Sequence, residues 1–163
     1  AVLDLQASDP ELSRFHGGFH DGEHGYAIPF EFGKVARFSL RDFSTVHVLD
    51  LTHTNATLRG FHGGFTDGTH GYVVPKRGFG MLARFSLADF STVEALDFTA
   101  TDADLSGFAG GFTDGTYGFA VPSVNRDGAA FGKVARFDLA NFSDVHVLDL
   151  AQTDPALQGF AGG

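Results

Sequence analysis

Gly64-Phe65-Thr66-Asp67-Gly68-Thr69-His70-Gly71-Tyr72 returns as Gly111-Phe112-Thr113-Asp114-Gly115-Thr116-Tyr117-Gly118-Phe119. A looser form, Gly18-Phe19-His20-Asp21-Gly22-Glu23-His24-Gly25-Tyr26, precedes both. Two apolar runs flank an Asp-Gly pair, which tolerates positive φ and marks a tight turn between antiparallel strands. Working outward in the middle copy, residues 60–66, 71–75, 82–87 and 93–98 favour extended structure. Runs of about 5–7 residues suit strands and fall short of ordinary helices. Pro29, Pro75 and Pro122 close the second run, as expected of a residue with no N–H for a strand ladder. In the third run of the last full copy, Ala135, Phe137 and Leu139 alternate with Val134, Arg136 and Asp138, giving the strand two distinct faces. A short capped turn is expected at Asp42-Phe43-Ser44, Asp89-Phe90-Ser91 and Asn141-Phe142-Ser143, before a fourth run that ends in Leu-Asp.

That Leu-Asp recurs at Asp4, Asp50, Asp97 and Asp149, spaced 46, 47 and 52 residues apart. The 163 residues therefore read as one repeat domain, with copies at about 1–46, 47–93 and 94–145 and a partial fourth at 146–163. Residues 146–163 match residues 1–18 almost position for position. Nineteen Phe and 22 Gly fall largely at fixed places in the unit, which argues for packing and not for low complexity. The copies differ in length only at 123–132, which holds Asn125-Arg126-Asp127-Gly128.

A four-stranded unit of this length resembles a β-propeller blade. The Gly-Phe-Thr-Asp-Gly-Thr stretches at 64–69 and 111–116 would supply its first hairpin. Ala-Arg-Phe-Asp-Leu at 135–139 and Val-Leu-Asp-Leu at 147–150 would supply the last two strands. The pattern is similar to the YVTN-type blades of secreted and surface-layer proteins, and that resemblance implies an all-β fold of antiparallel blades. Propellers close with typically about 4–8 blades, so three imply an open array or an incomplete ring. A β-trefoil is the alternative that three units also suit. Duplicated ends fit an array continued head to tail better than a ring that closes on itself.

Composition excludes several roles. The net charge is −9, from 20 acidic and 11 basic residues, and no Lys/Arg cluster offsets it, so nucleic-acid and membrane partners are not expected. No run reaches the roughly 18 apolar residues of a membrane span. There is no Cys, so disulfides and thiol chemistry are absent. The first residue is Ala1 and no signal peptide is visible, which suggests a processed or partial product.

Arg37, Arg84 and Arg136 recur on the third strand; Asp50, Asp97 and Asp149 recur on the fourth. Adjacent strands would bring them together as one structural ion-pair rung per unit. A catalytic site would instead gather different groups around one substrate. His16, His20 and His24 flank Asp21 and Glu23, but the other copies replace them with Ala or Thr or Tyr, and a tight turn would separate the rings. His47, His53, His62, His70 and His146 read as surface residues. The Asp-Gly turns lack the remaining ligands of an EF-hand loop, and no nucleophile elbow, P-loop or metalloprotease motif appears. No catalytic, metal or cofactor residue is assigned.

Asn55-Ala56-Thr57 and Asn141-Phe142-Ser143 are N-x-S/T sequons, placed where other copies carry a turn-forming Asp. They mark Asn55 and Asn141 as glycosylation candidates in a secreted chain. The sequence as a whole suggests a non-enzymatic extracellular or cell-surface structural protein. Its main partner would be another copy of itself, joined head to tail through the terminal repeat halves into a fibre or coat, with glycans as a second partner class. The alternative is a lectin-like module using loop groups such as Tyr117 and Asn125 to Asp127.

Overall fold

The alternating runs around each Asp-Gly pair fold as hairpins. The structure, a computed structural model, describes residues 1–76 and 78–163. In the first repeat, β1 (Phe15–His20) pairs with β2 (His24–Pro29), and β3 (Lys34–Ser39) and β4 (Val46–Asp50) follow. The second repeat holds β5 (Phe61–Thr66), β6 (His70–Pro75), β7 (Met81–Ser86) and β8 (Val93–Asp97). The third holds β9 (Phe108–Thr113), β10 (Tyr117–Pro122), β11 (Lys133–Asp138) and β12 (Val145–Asp149). The strands lie within a residue or two of the runs read from sequence.

Each repeat is one antiparallel sheet with its strands in chain order. Among the described residues no strand of one sheet hydrogen-bonds to a strand of another, and no sheet closes. This removes the β-trefoil alternative, because a closed barrel needs strand pairing between repeats. The fold is three propeller-like blades.

Local chemistry fixes each hairpin. Asp67 Oδ1 accepts the backbone N–H groups of Thr69 and His70, both at 2.7 Å, and Asp21 and Asp114 do the same for their own turns. Gly22, Gly68 and Gly115 take the positive φ that the turn requires. Tyr26 and Tyr72 then send their hydroxyls back to Asp21 and Asp67, each at 2.7 Å. Phe119 stands at the corresponding place in the third blade.

The expected turn after β3 is present: the Phe43 and Phe90 N–H groups bond to the carbonyls of Ser39 and Ser86, with both phenylalanines at positive φ. The 3₁₀ turns lie elsewhere, at Leu5–Ala7 ahead of β1 and directly after the fourth strands at Leu51–His53, Phe98–Ala100 and Leu150–Gln152.

Blades stack face to face. One core layer joins Tyr26, Ile28 and Val35 of the first blade to Leu51, Leu58, Phe61 and Phe85 of the second. The next joins Tyr72, Val74 and Leu82 to Leu105, Phe108 and Phe137. Both faces of the middle blade are therefore buried, and Leu82 to Phe85 of β7 are buried on both sides, Arg84 included. The first strands, β1, β5 and β9, pack side by side and meet at glycine. A β-carbon on Gly17 would lie 3.0 Å from Gly63 Cα, and one on Gly63 would lie 3.1 Å from Gly110 Cα. Residues 159–163 continue the series: Phe160 N–H bonds to the Pro122 carbonyl at 3.0 Å, and Gly163 lies against Gly110 and Val121.

Candidate functional site

The repeated arginines tie blades to each other. Arg37 in β3 places its guanidinium 4.3 Å from the centre of the Phe90 ring and sends Nη1 toward the Leu87 carbonyl at 3.5 Å, both in the next blade. Arg84 in β7 repeats this more tightly, 4.3 Å from the Phe142 ring centre and 2.7 Å from the Leu139 carbonyl. Along its edge, Nε and Nη2 donate to the two carboxylate oxygens of Glu94 on β8 at 2.9 and 3.0 Å. A planar cation over a ring contributes about 0.5–2 kcal/mol, more as it is desolvated, and Arg84 is almost fully buried.

The Arg–Asp rungs expected from sequence do not form. Cross-strand register sets Arg37 opposite His47, Arg84 opposite Glu94 and Arg136 opposite His146. Asp50, Asp97 and Asp149 lie three residues further along, where they cap the 3₁₀ turns by accepting the N–H groups of Thr52, Thr99 and Ala151. The lysines of the third strands make the ion pairs instead. Lys34 meets Asp9 and Glu11 at 2.7 and 2.6 Å, and Lys133 meets Asp102 and Asp104 at 2.8 and 2.7 Å.

The outer faces of the first and third blades carry the same side chains as the internal interfaces, without a neighbour. Leu148 is 61% exposed, while its counterparts Leu49 and Leu96 are 9% and 8% exposed. Phe112 is 49% exposed against 8% for Phe65, and on the opposite end Phe43 is 39% exposed against 7% for Phe90. Phe119, Val134, Arg136, His146, Val147 and Leu148 line an open groove of about 450 Å³ on the third blade. Arg136 instead folds over Tyr117 of its own sheet, at 4.4 Å from the ring centre. Its Nε is buried without a hydrogen-bond partner.

The remaining candidates sort by geometry. His16 stacks on Phe30 and meets the edge of His62, His24 turns toward Asp21, and His20 is exposed. Among the described residues no group of three or more His, Asp and Glu is gathered in a way that could hold a metal ion. His62 corrects the surface reading, for it is half-buried with Nδ1 unpartnered. Burial, Lys76 and His16 all lower its pKa.

Asn55 Oδ1 accepts the N–H and hydroxyl of Thr57, which is the turn role of Asp9, Asp102 and Asp154 in the other copies. Asn55 occurs in the copy whose third-strand lysine position is Met81, so the acid and its cation change together. Asn141 is exposed and accepts the Ser143 hydroxyl. The insertion at 123–132 closes on itself: Asn125 Oδ1 takes the N–H groups of Asp127 and Ala129.

No family model matches the chain, and no curated protein matches it. Solved structures do. Hydrazine synthase of Kuenenia stuttgartiensis superposes with a TM-score of 0.59 at 15% identity, over 82% of this chain and 36% of that one. The WD40 repeats of RRP9 superpose with a TM-score of 0.57 at 12% identity, over 83% of this chain and 38% of that one. These likenesses establish a propeller-like fold of repeated four-stranded blades. The chain spans little more than a third of the length of either structure.

Proposed function

We propose that this chain is a non-enzymatic structural repeat protein whose blades continue from one copy onto the next. One observation carries the reading. The bare face of the third blade and the bare face of the first are the two halves of an interface that the chain already forms twice within itself. Leu148, Phe112 and Phe119 face outward on one side; Leu40, Phe43 and Phe38 lie on the other. Covering one large apolar side chain as its internal counterpart is covered contributes on the order of 1 kcal/mol or more. The two faces differ, so the contact is heterologous, and repeated contacts of that type generate open fibres or coats unless the rotation closes.

Seating a second copy requires one of two like segments to yield. Residues 150–163 of one copy and residues 5–18 of the other would fill the same slot beside the third blade. The finer likeness to YVTN-type blades, and the extracellular or cell-surface location that it implies, belong to this proposal. So do N-glycans at Asn55 and Asn141, whose Oδ1 atoms, not their amide nitrogens, hold the turns.

Sedimentation velocity across a concentration series, with negative-stain imaging, tests the proposal. Species growing beyond the 17.3 kDa chain toward elongated particles are expected. A single 17.3 kDa species at the highest concentration reached would overturn it.

A further inference from the structure

Resting on that self-association reading, we infer that Arg136 is the latch that sets the register between copies, seating over Phe43 and donating to the Leu40 carbonyl of the incoming molecule. The internal joins supply the pattern. Arg37 reaches Leu87 and Phe90, and Arg84 reaches Leu139 and Phe142. Leu40 and Phe43 hold the matching places in the first blade, where no cation lies over the Phe43 ring and both residues are exposed, with Phe38 against the edge of Phe43. Phe43 already has the positive φ, 52°, that Phe90 adopts at 49° beneath Arg37. The Phe43 turn thus matches the one beneath Arg37, whereas Phe142, beneath Arg84, is not at positive φ.

Arg136 is the donor that matches it. Its guanidinium is parked on Tyr117 of its own sheet; its Nε lacks a partner, as does that of Arg37 within an internal join. Swinging from one ring to another exchanges like for like, and the carbonyl adds a charge-assisted hydrogen bond that the parked position lacks. Apolar stacking alone would tolerate sliding, because the rings and leucines offer several similar contacts. A fork donor aimed at one main-chain carbonyl does not. The latch also lies away from the contested slot, since Arg136 is on β11 and Leu40 and Phe43 lie in the β3–β4 turn. It can engage whichever segment yields.

The test is a double-mutant cycle on self-association of the full chain, with Arg136→Ala, Phe43→Ala and the pair together. Each single change should raise the dissociation constant roughly tenfold, and the double variant should be little worse than either single. Arg136→Lys keeps the charge but loses the flat stacking surface and the fork, and should recover little of the loss. Each side chain has one contact within its own blade, Arg136 with Tyr117 and Phe43 with Phe38, so the circular dichroism of the monomer should be unchanged and its melting temperature should fall by only a few degrees, which separates a lost contact from a lost fold. If the wild type associates and Arg136→Ala associates as tightly, or if the two losses simply add, the latch is wrong and the stacking stands. If the wild type itself remains a 17.3 kDa species, the stacking fails and takes the latch with it.

Discussion

Tyr72 donates its hydroxyl to Asp67 Oδ2 at 2.7 Å, across the very turn that Asp67 Oδ1 builds from the N–H groups of Thr69 and His70. One carboxylate thus fixes both the hairpin and a fully buried ring. Removing the hydroxyl in Tyr72→Phe leaves that carboxylate one donor short. A loss of about 1–2 kcal/mol in chemical denaturation is expected, without loss of fold, since Phe119 already occupies the corresponding place in the third blade.

The same turns make the protein acid-sensitive. At Asp21, burial pushes the pKa up, but the His24 N–H, the Tyr26 hydroxyl and the Glu23 N–H outweigh it and bring it down to about 2. Asp67 is lowered by the same balance. A carboxylate whose folded-state pKa lies below its unfolded value, about 3.9, contributes stability that is complete above that value and is lost as pH falls toward the folded one. Below the earlier fall that His62, with its lowered pKa, contributes as pH drops under about 6.5, urea midpoints should therefore decline further between about pH 4 and 2. Asp21→Asn should flatten that decline; an equal slope in the variant would count against the assignment.

Arg14 has a φ of 54°, where the other copies carry Gly60, Gly107 and Gly159, all at positive φ. An L-residue held there costs about 1–2 kcal/mol. Its exposed ion pair with Glu31, at 2.6 Å, returns little. Arg14→Gly should raise the melting temperature by roughly 2–4 °C. A fall would show that the ion pair outweighs the backbone.

Asn55 and Met81 replace an acid and a lysine that meet in the first and third blades. Restoring both in Asn55→Asp with Met81→Lys should give a positive coupling of about 0.3–1 kcal/mol, while either change alone is near neutral or unfavourable. A coupling indistinguishable from zero would make the joint change a coincidence. The variant also lacks the sequon at Asn55, so mass analysis of the same pair reports on glycan occupancy.

Gly63→Ala should be among the most damaging small changes. Its β-carbon would sit 3.1 Å from Gly110 Cα, at a φ of 76°. A loss of about 2–3 kcal/mol is expected from the backbone conformation and the displaced strand together. Gly68→Ala is the control. It has the same strained φ, 88°, but open space around it, so the difference between the two variants isolates the inter-blade contact.

The hairpins were legible because their causes are local: Asp-Gly, the alternation that follows and the terminal proline all lie within about a dozen residues. The arginines misled for the opposite reason. Arg37 finds its partners 50 and 53 residues away, and one of them is a main-chain carbonyl that no side-chain pattern advertises. Strand register, which no composition reveals, moved Asp50 out of reach and put it opposite Lys34. A signal was nonetheless present, since Arg37, Arg84 and Arg136 recur in phase with Phe43, Phe90 and Phe142. His62 was misjudged because its burial comes from the neighbouring blade, where His16 packs against it.

The glycine contacts between first strands carry a further consequence. At that edge the blades are as close as backbones permit, while further out Phe85, Phe137 and the stacked arginines hold them apart. Each blade is thus a wedge, thin where the residues are smallest and thick where they are largest. The angle through which the array turns per repeat is written in side-chain volume, and a single methyl at Gly17 or Gly63 would flatten the curve.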